Sequence, residues 1–454
     1  MKKIPRLMIA GTSSGVGKTS VSLGLMKAFQ NKGVKVQAFK VGPDYLDPLH
    51  HTRITGRPSR NLDSWMAEEH LEEILQEGSK GADLILVEGV MGLFDGMSGD
   101  SDVASSAEVA KRLKMPVILV ADAKAMARSF AALLHGYTTF DKELEFAGVI
   151  ANRVSGDSHY EYLVKAVSHH LNVPLLGYLP PDKNISLPDR HLGLVSPHSA
   201  EFETIYEGLG QWVSKHLDLN AILRCADKVS VLPQVTSQLF VAPENPHKCR
   251  VALAKDSAFH FYYEDNLDLL KCYGAEIIEF SPLKDSHLPE CDLLMLGGGY
   301  PEAHAEELAS NKTMLHNIKK HADARKTIYA ECGGMMLLCK ELITLENQHF
   351  EMSGLFEESV VMTARRKALG YVEISTLHDS PLGPQGLAAR GHEFHYSEIK
   401  EMISPSRAYH LKRPIKKTEK DDGMNLPHVQ AGYAHIHFSS NFQIANNLLN
   451  VRKN

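Results

Sequence analysis

The feature that most constrains the fold of this chain is the glycine-rich stretch Gly-Thr-Ser-Ser-Gly-Val-Gly-Lys-Thr at residues 11–19. It follows the apolar run 7–10 and precedes apolar residues at helical spacing, which predicts a turn from a strand into a helix. Backbone N–H groups at such a helix start point at an anion, a lysine can reach the outer phosphates of a nucleotide, and a threonine hydroxyl can bind Mg²⁺. The residues predicted to bind the nucleotide are Gly15, Gly17, Lys18 and Thr19. The alternative is a glycine-rich turn with an incidental Lys-Thr pair.

Composition limits the classes of protein to which the chain can belong. With 454 residues it is long for one domain, and two or three domains are expected. A formal net charge of -6 at pH 7 argues against nucleic acid as the main partner. Six cysteines without Cys-x-x-Cys spacing indicate neither a disulfide framework nor a zinc site. No apolar run approaches membrane-spanning length and the N-terminus has no leader pattern, so we expect a cytoplasmic protein without a membrane partner.

The first 180 or so residues alternate short apolar runs with amphipathic stretches. Strands are predicted at residues 7–10, 36–41, 84–88, 117–121, 146–151 and 175–178. Their near-continuous apolar character is typical of strands covered on both faces, and it predicts an α/β domain with a doubly wound, mostly parallel sheet. A second alternating unit begins near residue 250, after a region that contains several prolines. The predicted organisation is a nucleotide-binding domain over 1–220, a linker over 221–248 and a second α/β domain over 249–454.

Carboxylates follow two of the predicted strands, at the sheet edge where ligands bind in such folds. Asp44 and Asp47 come after the second strand, and Glu88 ends the third. Carboxylate oxygens suit a Mg²⁺ ion that bridges phosphates. We therefore predict Asp47 and Glu88, together with Thr19, as metal ligands, and Asp44 as a further candidate for phosphoryl transfer.

Three other polar residues follow strands, and each has a structural alternative. Asp95 and Asp122 either contact metal or phosphate, or serve as helix-cap and turn residues. Asn152, after the fifth strand, is predicted to bind the nucleotide base through its amide, with a turn-forming asparagine as the alternative. The structural alternative applies with less force to Glu88, because that carboxylate closes a buried strand.

The second unit contains a turn suited to a nucleophile. The apolar strand at 327–330 ends in Glu-Cys-Gly-Gly, where small residues allow a tight turn from strand to helix. N–H groups at the helix start would stabilise a Cys332 thiolate and a developing oxyanion, so we predict Cys332 as the nucleophile. A base is expected near the C-terminus, where His435 and His437 share one face of a predicted strand and spacing leaves the choice open. Backbone at Gly298 and Gly299 could approach an oxyanion or a small polar substrate.

Together these motifs resemble the cobyrinate a,c-diamide synthase family, glutamine-dependent enzymes of corrinoid biosynthesis, over almost the whole chain. The motifs that carry the resemblance lie at residues 11–19, 40–48, 88–96, 187–194, 251–263, 297–302, 331–334, 391–397 and 433–438. The resemblance implies a dethiobiotin-synthetase-like ATP-binding domain fused to a class I glutamine amidotransferase domain. It also implies that ATP and Mg²⁺ serve to phosphorylate carboxylates of a cobyrinate-type tetrapyrrole, and that ammonia from L-glutamine then displaces phosphate to form the a and c amides.

The resemblance assigns roles that the residue pattern leaves open. It implies that Cys332 attacks the glutamine amide and that His435 is the base. Many class I amidotransferases have a Glu two residues after this histidine, but His437 stands there, so the group that orients His435 stays open. The residues expected to contact the substrates are Asp44, Tyr45, Leu46, Asp47, Gly298 and Gly299.

Three other functions remain open. The first is the same chemistry on hydrogenobyrinate or nickel sirohydrochlorin, the second is a cobyric-acid-type synthase, and the third is a nucleotide-switched scaffold with an inactive amidotransferase domain. Glutamine hydrolysis without an acceptor separates the scaffold from the enzymes, because a scaffold would show none. The sequence leaves open the metallation of the macrocycle, the order of amidation and the oligomeric state, for which a homodimer is one expectation.

Overall fold

The computed structural model describes residues 3–182, 185, 187, 189–190, 193–194, 201–231, 237–404 and 406–450. Residues 188, 191 and 192 of the 187–194 motif and residues 232–236 of the predicted linker lie outside the described residues. The chain divides into two compact units, Met1–Thr236 and Ser237–Asn454. Within the described ranges, no helix has both the length and the apolar character needed to cross a lipid bilayer.

The first unit is built on one large sheet in which all neighbouring strands are parallel. Its strands are β1 (Arg6–Gly11), β2 (Val36–Val41), β3 (Arg60–Leu62), β4 (Leu84–Glu88), β5 (Val117–Asp122), β6 (Phe146–Asn152) and β7 (Leu175–Leu179), and a short hairpin adds β8 (Asp189–Arg190) and β9 (Gly193–Leu194). The strand order in the large sheet is β3-β2-β4-β1-β5-β6-β7. Because β1 lies between β4 and β5, the turns after these three strands lie side by side.

The predicted parallel sheet is confirmed. The predictions at 36–41 and 84–88 match β2 and β4, and the other four strands are longer by one residue at one or both ends. Strand β3 was not predicted, because three residues with the sequence Arg-Asn-Leu carry neither an apolar run nor a clear alternation. It pairs with β2 at the edge of the sheet.

Helices cover the sheet of the first unit. They are α1 (Lys18–Asn31), α2 (Leu46–Thr55), α3 (Leu71–Gly78), α4 (Ser106–Arg112), α5 (Arg128–Phe140), α6 (Asp157–His170), α7 (Glu201–His216) and α8 (Leu219–Asp227). Helix α7 packs against α1, and both contribute to the core that also receives α8. The prediction of a linker from residue 221 is therefore corrected: 221–227 are helical, and Ile222 and Ala226 are buried in this core. Their spacing matches one apolar face of a helix that Asp218 caps by accepting from the N–H of Ala221 at 2.9 Å.

The second unit combines a parallel sheet with antiparallel ones. Its strands are β10 (Cys249–Ala254), β11 (Phe259–Phe261), β12 (Ala275–Phe280), β13 (Leu293–Leu296), β14 (Gly298–Gly299), β15 (Thr327–Glu331), β16 (Glu341–Ile343), β17 (His349–Glu351), β18 (Ser359–Met362), β19 (Ala368–Thr376), β20 (Ala388–His395), β21 (Ser397–Ile399), β22 (Tyr409–Arg413), β23 (Thr418–Asp422), β24 (Met424–Leu426), β25 (Val429–Gly432) and β26 (His435–Ile436). Its helices are α9 (Glu264–Cys272), α10 (Ala305–Ser310), α11 (Lys312–Asp323), α12 (Gly333–Leu338) and α13 (Gln443–Leu449), with 3₁₀ turns at Pro301–His304 and Phe438–Ser440.

The order of strands in this unit brings the two predicted catalytic segments together. The main sheet runs β12-β10-β13-β15-β25-β24 and is parallel except for the β24–β25 pair. A five-stranded antiparallel sheet runs β23-β22-β19-β20-β26, and smaller sheets are β17-β16-β18-β21 and β11-β14. Since β15 and β25 are neighbours, the turn that carries Cys332 lies beside the segment that leads to His435.

Two helical glycines test the packing of the first unit. A Cβ added at Gly24 in α1 would lie 2.5 Å from Cγ2 of Val213 and 2.9 Å from the carbonyl oxygen of Leu209 in α7, whereas one added at Gly136 in α5 meets no heavy atom within 4 Å. Gly24→Ala should therefore lower the free energy of unfolding by about 1–3 kcal/mol. Gly136→Ala should raise it by about 0.5–1 kcal/mol, because alanine restricts the unfolded chain. Urea unfolding measures both, and stabilisation by both variants would contradict the described α1–α7 packing.

Candidate functional site

The phosphate loop between β1 and α1 has backbone angles that favour glycine at two points. Gly15 has a φ of +72° and Gly17, directly before α1, a φ of +100°. A Cβ added at Gly17 would lie 2.4 Å from the side-chain nitrogen of Asn152. The ammonium of Lys18 folds back over the loop and donates to the carbonyl of Ser13 at 3.2 Å. The loop, its lysine and the start of α1 thus form a cradle suited to phosphate oxygens.

Two side chains at the end of β6 and directly after it support this loop. The amide of Asn152 donates to the carbonyl of Val16 at 2.8 Å. The guanidinium of Arg153 donates to the carbonyl of Gly15 at 2.7 Å. The predicted contact between Asn152 and a nucleotide base stays a prediction, since the hydrogen bond observed for its amide nitrogen is to the loop itself.

The two aspartates with an open role both stabilise turns. Asp122 accepts from the N–H of Lys124 at 2.8 Å and forms an ion pair with Arg153, with Nη1 and Oδ2 2.5 Å apart. Asp95 accepts from the N–H of Gly92 at 2.8 Å. These contacts are those of turn residues, which favours the structural alternative for both.

A buried lysine joins the predicted metal ligands. Nζ of Lys40, at the end of β2, lies 2.6 Å from Oδ2 of Asp47 and 3.1 Å from Oε1 of Glu88. The hydroxyl of Thr19 donates to Oε1 of Glu88 at 2.6 Å, and Nε2 of His51 lies 2.9 Å from the other oxygen. Thr19, Asp47 and Glu88 were predicted from the sequence, whereas no role was predicted for Lys40 or His51. A charged residue inside a mostly apolar strand was the available signal for Lys40.

The cluster holds more negative than positive charge. Burial alone would raise the pKa of Glu88, but Lys40 and the hydrogen bonds that Glu88 accepts hold it well below its usual range. Burial and the charges of Asp44 and Glu88 raise the pKa of Asp47. The pKa of Lys40 is raised despite its burial, because Asp47, Glu88 and Asp44 surround it. Three carboxylates therefore share one close ammonium, which favours a further cation beside the oxygens of Thr19, Asp47 and Glu88.

The start of α2 carries the residues predicted to contact the acceptor. Oδ1 of Asp44 accepts from the N–H groups of Leu46 at 2.8 Å and Asp47 at 3.4 Å, so Asp44 stabilises the first turn of the helix. Tyr45 is buried and Leu46 half-buried. Their contact with an acceptor stays a prediction.

Cys332 stands on a strained turn between β15 and α12. Its φ of 47° and ψ of -102° lie outside the common regions for a residue with a side chain, at a cost of about 1–3 kcal/mol. The turn is held by the N–H of Cys332, which donates to the carbonyl of Gly432 at 2.7 Å. A Cβ added at Gly334 would lie 2.1 Å from the carbonyl oxygen of Leu296, so the helix can approach the sheet only with glycine there. This is the geometry predicted for a nucleophile.

The two C-terminal histidines have different neighbours in the structure. The side chain of His435 interacts with Cys332, and its Nδ1 lies 3.6 Å from Oε2 of Glu331. His437 instead has its Nε2 3.9 Å from Oδ2 of Asp265. Burial alone would lower the pKa of His435, but the neighbouring side chains of Cys332 and Glu331 raise it to about 10. The geometry thus favours His435 as the partner of Cys332, and it pairs an imidazolium with the nucleophile at neutral pH.

The predicted glycines lie beside this histidine. Gly298 and Gly299 form β14, which pairs with β11. A Cβ added at Gly298 would lie 2.5 Å from Cε1 of His435, so only glycine leaves the ring in its position. The N–H of Gly334 donates to the carbonyl of Gly297 at 2.9 Å, which ties this loop to the Cys332 turn.

Comparisons with known proteins agree with this arrangement. Residues 7–195 match the CobQ/CobB/MinD/ParA nucleotide binding domain, and residues 250–442 match the CobB/CobQ-like glutamine amidotransferase domain. A protein of Streptococcus sanguinis (strain SK36) named cobyrinate a,c-diamide synthase is 41% identical, over 99% of this chain and 99% of its own length. Relatives with the same name from Listeria monocytogenes serotype 4b (strain F2365) and Limosilactobacillus reuteri (strain DSM 20016) are 43% and 42% identical, over 97% and 99% of this chain and the same shares of their own lengths.

The chain belongs to the cobyrinate a,c-diamide synthase family. The resemblance stated from the motifs is thereby confirmed, as is the fold class of a nucleotide-binding α/β domain joined to a glutamine amidotransferase domain. The chain is accordingly a glutamine-dependent, ATP-using ligase of this family. Within each unit, the residues that the sequence analysis assigned to catalysis or phosphate binding lie close together.

The close packing of Gly298 against His435 can be tested by substitution. Gly298→Ala should lower kcat for glutamine hydrolysis by about 10²-fold, because the added methyl group displaces the imidazole from Cys332. Glutamate release measures the rate, and thermal unfolding shows whether the variant is folded. Gly99→Ala is the control, since a Cβ there meets no heavy atom within 4 Å. Equal activity of both variants would contradict the described position of His435.

Proposed function

We propose that this chain catalyses the ATP-dependent, glutamine-hydrolysing amidation of the a and c acetate carboxylates of cobyrinate, a step of cobalamin biosynthesis. The observation that carries the proposal is the presence of two reactive turns in one chain, a phosphate loop backed by a carboxylate cluster and a Cys332–His435 pair. Relatives that match this chain nearly end to end are named for the same product. A free carboxylate is a poor acyl donor, and phosphorylation converts its oxygen into a leaving group, so the two sites supply complementary halves of one reaction.

In the first unit we assign ATP to the phosphate loop. The pKa of Lys18 is lowered by burial and by the charge of Lys40, so phosphate oxygens would relieve an unfavourable environment for its ammonium. Gly15 and Gly17 leave the backbone N–H groups open to those oxygens. An acceptor carboxylate that attacks the γ-phosphorus would form a carboxyl phosphate and release ADP, with the ammonium groups of Lys18 and Lys40 balancing the charge that builds up.

We assign Mg²⁺ to the oxygens of Thr19, Asp47 and Glu88. Within the described ranges, no group of three or more His, Cys, Asp or Glu side chains is arranged to hold a metal by itself. This fits a nucleotide-bound ion, which takes one or two protein ligands and completes its shell with phosphate oxygens and water. When bound, Mg²⁺ would neutralise the transferring phosphate, and the excess of carboxylate over ammonium around Lys40 suits it electrostatically.

In the second unit Cys332 and His435 would release ammonia from L-glutamine. The sulfur of Cys332 attacks the amide carbon, and backbone N–H groups around Gly298 and Gly333 are suited to hold the oxyanion. His435 donates its proton to the leaving nitrogen, so that a thioester and ammonia result. Water then cleaves the thioester to glutamate. Ammonia attacks the carboxyl phosphate of the acceptor and displaces inorganic phosphate, which leaves the amide.

We propose that the reaction takes place in the cytoplasm, because it consumes ATP and requires Cys332 as a free thiol. Cys332 is a free, buried cysteine. A homodimer stays a prediction. The choice among cobyrinate, hydrogenobyrinate and nickel sirohydrochlorin rests on the names of the relatives, and the acceptor assay below decides it.

Mass spectrometry of the product tests the proposal. Purified protein with ATP, Mg²⁺ and glutamine should add two amides to cobyrinate. Cys332→Ala should abolish this with glutamine and retain it with free ammonia. If only hydrogenobyrinate or nickel sirohydrochlorin is amidated, the proposed substrate is wrong and the proposed mechanism is unchanged. Absence of amidation with all three acceptors, and of glutamine hydrolysis, would favour the nucleotide-switched scaffold.

A substitution in the carboxylate cluster should affect amide formation and leave glutamine hydrolysis unaffected. Asp47→Asn removes the charge that faces Lys40 at 2.6 Å and a proposed metal ligand. Amide formation should fall by about 10²-fold or more, because charge balance at the phosphoryl group is lost. Glutamine hydrolysis, measured as glutamate release, should stay largely intact. A parallel loss of both activities would contradict this division of labour between the units.

A further inference from the structure

Two buried pairs of an acid and a histidine lie near the nucleophile. One is Glu331 with His435, and the other is Asp265 with His437. All four side chains are buried. Only the first pair includes the histidine that contacts Cys332, and the place of the Glu found two residues after the histidine in many class I amidotransferases is taken by His437.

The carboxylate of Glu331 is fixed to the segment that carries His435. Its Oε1 accepts from the N–H of Ile436 at 3.0 Å and from the hydroxyl of Tyr329 at 2.5 Å. Its Oε2 lies 3.6 Å from Nδ1 of His435. Two donors fix one oxygen of the carboxylate, and the other oxygen lies beside Nδ1 of His435.

We propose that Glu331, the residue directly before the nucleophile, is the positioning residue of His435 and takes the part of the missing third member of the triad. It would act through His435, by fixing the orientation of the ring and by stabilising the imidazolium. This inference rests on the proposed function for its catalytic readout. The nucleophile and the group that orients its partner would then be consecutive in sequence, on one strand-to-helix turn.

The charges around His435 support this role. The groups that face it are Glu331 from the end of β15, Cys332 from the turn, and His392 from β20, whose ring stacks on His435 with centroids 5.2 Å apart. Burial, with the nearby charge of His435, lowers the pKa of His392 well below its usual value, so this neighbour is neutral. Glu331 is thus the carboxylate beside His435 in this set. A buried imidazolium without such a partner would be costly, and the proton would leave it.

Glu331→Gln tests the proposal, because glutamine keeps the size of the side chain and an oxygen for Ile436 and Tyr329. We expect kcat for glutamine hydrolysis to fall by about 10²- to 10⁴-fold with KM little changed, as for the loss of an orienting carboxylate in other triads. Amidation with free ammonia should stay at the wild-type rate. The matched control is Asp265→Asn, which neutralises the other buried acid beside a histidine and should retain most of the activity.

A second readout does not require turnover. The rate at which iodoacetamide alkylates Cys332, followed by peptide mass spectrometry, reports the thiolate as a function of pH. Without the charge of Glu331 the imidazolium is less stable, so less thiolate forms at neutral pH. The alkylation profile of Glu331→Gln should move to higher pH by about one unit or more, and that of Asp265→Asn should not move.

The outcomes separate the inference from the proposed function. A wild-type alkylation profile together with wild-type kcat in Glu331→Gln would overturn the role of Glu331. Equal losses in Glu331→Gln and Asp265→Asn would also overturn it, because they would indicate a general effect of buried charge on folding. A shifted alkylation profile in a protein that hydrolyses no glutamine even as wild type would support the pairing of Glu331 with His435 and contradict the proposed function.

Discussion

The tight turn from a buried parallel strand into a helix is the constraint on which both candidate sites depend. In the first unit the turn between β1 and α1 needs glycine at residue 17, where φ is +100°. In the second unit Cys332 itself adopts a φ of 47°, and the glycines behind it let α12 approach the sheet. In each turn, backbone N–H groups and one reactive side chain lie at the end of the strand from which the helix starts. The same kind of backbone turn is therefore suited to phosphate binding in the first unit and to thiol chemistry in the second.

Buried charge is organised differently around the two turns. In the first unit Lys40 is shared by Asp47 and Glu88, and the surplus of carboxylates leaves room for another cation. In the second unit His435 interacts with both Cys332 and Glu331, so one cation has two acidic neighbours. Buried ions persist only with such partners. The first arrangement suits transfer of a charged phosphoryl group, and the second suits transfer of a proton to a leaving nitrogen.

The sequence predicted the features that depend on neighbouring residues and missed those that depend on distant ones. The phosphate loop, the Cys332 turn and the strands of the first parallel sheet other than β3 are local patterns, and they were predicted with small errors at their ends. The antiparallel sheets were not predicted, since the order of their strands depends on pairing between segments distant in the sequence. Helix α8 was not predicted although Ile222 and Ala226 have helical spacing, because it borders the proline-containing linker. Glu331 escaped assignment because its contact with Ile436 joins residues 105 positions apart. Lys40 was not assigned a role because its ion pairs are with carboxylates that only folding brings close to it.

The central claim is that one chain activates a carboxylate as its phosphate and supplies the ammonia that displaces it. The most direct test offers cobyrinate labelled with oxygen-18 in its carboxylates, together with ATP, Mg²⁺ and glutamine, and follows the label by mass spectrometry of the inorganic phosphate. The account predicts the transfer of one labelled oxygen to phosphate for each amide formed, since the carboxylate oxygen leaves with the phosphoryl group. Amide formation with phosphate that carries no label would contradict it.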